Sequence, residues 1–91
     1  MPQGILLRLG LWQNARRVTQ ENSIPTPDHR RVIVLEVEGN PDETGIVERH
    51  DRPEMEAFID FRVEKKPYAK VVAKIKRQNT RLRRQMEGGL L

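Results

Sequence analysis

Pro67-Tyr68-Ala69-Lys70-Val71-Val72-Ala73-Lys74-Ile75-Lys76-Arg77-Gln78-Asn79-Thr80-Arg81-Leu82-Arg83-Arg84-Gln85-Met86-Glu87 is the stretch that decides the fold. Proline suits the first turn of a helix, where its missing N–H would be unpaired anyway, and helix propensity stays high from Tyr68 to Glu87. At about 100° per residue, Tyr68, Val71, Val72, Ile75, Leu82 and Met86 fall in one sector, with Asn79 its single polar member. Lys70, Lys74, Arg77, Arg81 and Arg84 fall in the opposite sector, and Lys76 and Arg83 flank them. The pattern predicts a two-faced helix over 67–87, apolar against basic, stopped by Gly88-Gly89. The apolar stripe also fits a heptad, with Val72, Asn79 and Met86 at a and Tyr68, Ile75 and Leu82 at d. The e positions (Lys76, Arg83) and g positions (Val71, Gln78, Gln85) offer a parallel homodimer no interhelical salt bridge. Packing on the chain's own sheet is therefore expected, with docking on another chain as the alternative.

Working back from that helix, the period falls to two. Met55, Ala57, Ile59, Phe61 and Val63 share one face, and Glu56, Phe58, Asp60, Arg62 and Glu64 the other, which predicts a strand. A competing reading makes Asp51 an N-cap, with Glu54 three residues on, for a short helix through Phe58. Val32 to Glu38 is β-branched and sets Ile33, Leu35 and Val37 on one face, a second strand. Gly39 to Gly45 collects turn formers, and Ile46 to His50 then reads as the return strand of a hairpin. In the N-terminal segment the apolar residues of a helix would point in all directions, whereas Ile5, Leu7, Leu9 and Leu11 line one face of a strand, so a strand or arm over 1–18 is expected. Residues 19–31, with two prolines among Thr, Gln, Asn, Ser and Asp, read as an extended connection. The fold class is α+β: one small domain over 1–91, with antiparallel strands over 32–64, three or four strands in all, followed by one long amphipathic C-terminal helix.

Charge is distributed unevenly over this frame. Residues 1–35 hold five arginines against Glu21 and Asp28, residues 36–64 hold ten acids against three arginines, and residues 65–91 hold nine Lys or Arg against Glu87. The last third therefore carries a concentrated basic field suited to a polyanion. Five of its cations recur at spacings of 4, 3, 4 and 3, a stripe about 21 Å long at about 1.5 Å per residue, the scale over which a nucleic-acid backbone presents several phosphates. Nucleic-acid contacts are expected from Lys70, Lys74, Lys76, Arg77, Arg81, Arg83 and Arg84, against the plainer reading of a solvated helix face. Four aromatic residues without a glycine-flanked cluster argue for backbone contacts over base readout. With the helix's apolar face on the sheet, the acidic row Glu56, Asp60 and Glu64 is expected on the far side of the domain from the cationic stripe.

Catalysis has few candidates. The only serine is Ser23, cysteine is absent, and His29 and His50 each adjoin an aspartate whose side chain would point away in extended chain. No cofactor, no metal and no small-molecule substrate are expected. The absence of cysteine excludes disulfides and fits a reducing, intracellular location. The run from Ile5 to Trp12 is too short to span a bilayer and lacks a basic leader, so a membrane partner and secretion are not expected. The functional expectation is a non-enzymatic nucleic-acid-binding component of a larger ribonucleoprotein or nucleoprotein assembly. The alternative is a structural assembly subunit, as in a virus particle, or a regulator that docks on protein partners through its apolar N-terminal arm and C-terminal helix, with Leu11, Trp12 and Phe58 as partner contacts.

Overall fold

The computed structural model describes residues 2–14, 16–52 and 58–88. Its elements run α1 (Pro2–Gln13), β1 (Val18–Pro25), β2 (Arg30–Val37), β3 (Thr44–His50), β4 (Phe58–Glu64) and α2 (Tyr68–Gly88). The four strands form one antiparallel sheet in the order β1-β2-β3-β4. A long C-terminal helix follows, so the α+β class read from the sequence is the observed one.

The sheet is apolar on both sides, because β2 offers Val32 and Val34 to one face and Ile33, Leu35 and Val37 to the other. Each face needs a cover. On one, Ile24, Val32, Val34 and Ile46 pack against Val71 and Ile75 of α2, with Tyr68 and Val72 at the margin. On the other, Leu35, Val37, Val47 and Phe61 pack against Trp12 of α1, with Leu9, Val18, Ile33 and Val63 around them. Burying a side chain the size of valine or isoleucine contributes about 1.5–3 kcal/mol, so each face holds its helix through a few residues.

Three expectations are corrected here. The N-terminal segment is a helix where a strand or arm was expected over 1–18. Ile5 is its only β-branched residue, and leucine, glutamine and arginine favour helix. Leu9 and Trp12, three residues apart, then turn toward the sheet together while Leu11 stays 65% exposed. Residues 19–31 are not an extended connection: most belong to β1, which pairs along the length of β2. Its alternation is faint because β1 is an edge strand that buries only Ile24.

The third correction concerns the acidic row. Phe61 joins the α1-side core and Val63 packs against it, so the alternate residues of β4 face α2. Asp60 lies opposite Glu48 in register, and Glu64 bonds Lys74 of α2. Asp60 and Glu64 therefore lie on the same side of the sheet as the cationic helix, and the separation of charge onto opposite sides does not occur. Met55, Glu56 and Ala57 lie outside the described residues, as does most of the alternative short helix over 51–58. Phe58 opens β4 opposite Arg49, across a register slip between Glu48 and Arg49.

Candidate functional site

The link between β4 and α2 is pinned from below. Thr44, fully buried at the start of β3, donates its hydroxyl to the Lys66 carbonyl at 2.7 Å. The Pro67 carbonyl then accepts the N–H groups of Lys70 at 3.0 Å and Val71 at 3.1 Å, which starts α2. Burial of Val71 and Ile75 fixes the helix's rotation and turns the opposite sector outward. Lys65, Lys66, Lys70, Lys74 and Arg77 consequently line one open depression of about 590 Å³, with Ala73 small enough to leave it unfilled.

The cations of α2 do not all stand free. Lys74 Nζ donates to Glu64 Oε1 at 2.7 Å, and this bond holds the Glu64 carboxyl below its ordinary range against the opposing effect of burial, with the charges of Lys74, Lys66 and Arg62 adding to it. Lys70, Lys76, Arg77, Arg81, Arg83 and Arg84 are exposed. Among the described residues, the ion pairs take Arg30, Arg62 and Lys74 as their cations, so those six side chains keep their charge available. Six of the seven expected contact residues are thus presented outward, and Lys74 is tied to the chain's own carboxylate. Lys65 and Lys66, not singled out in the sequence, join the site because they immediately precede Pro67. They lie outside the helical period, but their adjacency to its first residue was a readable signal.

A chain of charges runs beneath the farther half of α2. Arg62 Nη1 donates to Glu48 Oε2 at 2.5 Å and to Asp60 Oδ2 at 3.2 Å, and Arg30 stands 3.8 Å from Glu48 and 3.7 Å from Asp28. Burial pulls the Arg62 guanidinium down, but its bonds to Glu48 and Asp60 outweigh this and the net displacement is upward. Above this chain, Asn79 Nδ2 donates to the Pro25 carbonyl at 3.1 Å, which puts the polar member of the apolar stripe to structural use.

The residues expected to capture a protein partner separate. Trp12 is buried, stacked in tilted contact with Phe61 at 6.0 Å and laid over Gly45, where a Cβ would come within 2.7 Å of Trp12 Cζ3. Arg16 covers its ring at 5.8 Å and donates to the Trp12 carbonyl at 2.8 Å. Trp12 therefore belongs to the chain's own core. Leu11 remains exposed, and the side chain of Phe58 lies outside the described part of the structure. No group of His, Asp or Glu side chains suited to a metal occurs among the described residues, and no described helix is long and apolar enough to cross a membrane. Comparison of the chain with protein-family models, with curated proteins and with solved structures gives no match.

Proposed function

We propose that the protein binds nucleic acid through phosphate contacts, without catalysis, as a component of a larger assembly. The observation that carries this reading is the outward-facing basic depression, with Lys65, Lys66, Lys70 and Arg77 exposed around it and Arg81 and Arg84 continuing along the helix. Lysine and arginine on a regular spacing neutralise successive phosphates and release their counterions. The depression is open and carries no aromatic platform, which favours backbone contacts. Burial of Trp12 counts against the alternative in which the N-terminal segment inserts into a neighbour.

Anisotropy of a labelled RNA duplex, measured over a range of salt concentrations with the full chain, tests the proposal. With five phosphates neutralised, log K against log salt falls with a slope of about −3.5 to −4.5. Replacing Arg77, Arg81 and Arg84 together by Gln reduces the magnitude of that slope by about 2 to 3. Binding that is indifferent to salt, or to the triple replacement, overturns it.

A further inference from the structure

The two histidines, far apart in sequence, meet at one end of the sheet. The Asp51 N–H donates to the His29 carbonyl at 3.2 Å, clamping the turn between β1 and β2 onto the segment that leaves β3. His29 takes φ +65°, a left-handed conformation that His tolerates better than most residues, and Arg30 stands opposite His50 in register. The result is a cleft of about 330 Å³ lined by Asp28, His29, Arg30, His50 and Arg52.

We propose that this cleft is a second anion site that takes a phosphate group. Its one carboxylate, Asp28, is already occupied, accepting the Thr26 hydroxyl at 2.5 Å and standing 3.7 Å from Arg30 Nε. Among the described residues, His29, His50 and Arg52 have no ion-pair partner. A guanidinium fork matches two phosphate oxygens, and an imidazole donates from both nitrogens once protonated. Beside the two imidazoles the cleft holds Asp28, Arg30 and Arg52, and Glu48 of β3 stands 3.8 Å from Arg30. Asp28 and Arg30 also line an adjoining cleft of about 140 Å³ roofed by the uncharged Gln78 and Asn79 and by Leu82 of α2. The site thus lies at the end of the sheet toward which α2 runs, where Asn79 reaches Pro25, and a polyanion lying along α2 has a phosphate to offer it. The residues of the site follow from this geometry alone; the polyanion as the source of its phosphate rests on the function proposed above.

Two probes separate those sources: inorganic pyrophosphate and the RNA duplex, each added to the full chain while the His29 and His50 ring signals are followed by NMR. Saturable displacement of both rings by both probes is the expected result, weakened about fivefold in Arg52→Gln, a residue that is exposed and in no ion pair among the described residues. Displacement by pyrophosphate alone assigns the site to a small phosphate ligand, and the reading of α2 then stands or falls on its own salt slope. Rings unmoved by either probe overturn the proposal. Pyrophosphate affinity, read by calorimetry, should likewise fall about fivefold when His29→Asn, which keeps a residue suited to positive φ, is combined with His50→Gln, while the salt slope set by α2 persists. An affinity unchanged in the double variant overturns the role of the histidines.

Discussion

The two faces of the sheet are closed by different means. The α1 side is sealed by an aromatic ring on aliphatic strands, and it buries two nitrogens, Trp12 Nε1 and Arg49 Nε, without a partner among the described residues. The α2 side fully buries helix residues only in the first two turns, at Val71 and Ile75, and is held beyond them by directed polar contacts: Lys74 to Glu64, Asn79 to Pro25, and the chain of charges through Glu48. Nondirectional contact tolerates little loss of volume, whereas directed contacts leave the rest of the helix facing water. One sheet thereby carries a helix that works as a plug and another that works as an exposed surface.

Truncating the plug should give the largest effect. Trp12→Ala removes the side chain that joins α1 to β3 and β4, and should destabilise the chain by about 3–5 kcal/mol in urea unfolding, a large share of the roughly 5–15 kcal/mol a domain possesses. A loss below about 1 kcal/mol would mean that the two faces do not differ in this way.

The second test compares the two halves of α2. Ile75 is 3% exposed and Met86 52% exposed on the same stripe. Ile75→Ala should cost about 2–4 kcal/mol and Met86→Ala less than about 0.5 kcal/mol. Equal costs would show that the outer half is covered in solution, as expected if it docks on another chain.

The same contrast explains what the sequence made legible. The C-terminal helix was readable because its two sectors differ in kind, so apolar and cationic positions mark both its existence and its rotation. The strands at Val32–Val37 and Ile46–His50 were readable from β-branching and alternation. The helix at Pro2–Gln13 was not, since apolar residues surround it and only the uncovered sheet face at Leu35, Val47 and Phe61 decides that Leu9 and Trp12 turn inward. The side taken by Asp60 and Glu64 follows from the same helix: once Phe61 and Val63 are covered by α1, their neighbours must face α2. The outward cations of the candidate site were legible from spacing, but the loss of Lys74 to Glu64 and the meeting of His29 with His50 depend on pairing across distant parts of the chain.

The smallest effect, and the one that links stability to binding, belongs to Glu64 and Lys74. The folded-state acidity of Glu64 is increased by Lys74, so the unfolded chain binds the proton more readily. The contribution is fully present above the ordinary carboxylate value of 4.5 and is lost as pH falls through the lower, folded value. With side chains 31% and 20% exposed, the pair should contribute about 0.5–1 kcal/mol, read as the coupling energy of a cycle built from Lys74→Met and Glu64→Gln. The acid limb of the stability curve should flatten in Glu64→Gln. The same variant releases the Lys74 ammonium into the basic depression, so RNA affinity should rise and the salt slope steepen by about 0.7 to 0.9, the signature of one more neutralised phosphate. If stability shifts as stated while the slope stays fixed, Lys74 lies outside the path of the bound strand, and the contact surface must begin at Lys70 and Arg77 without it.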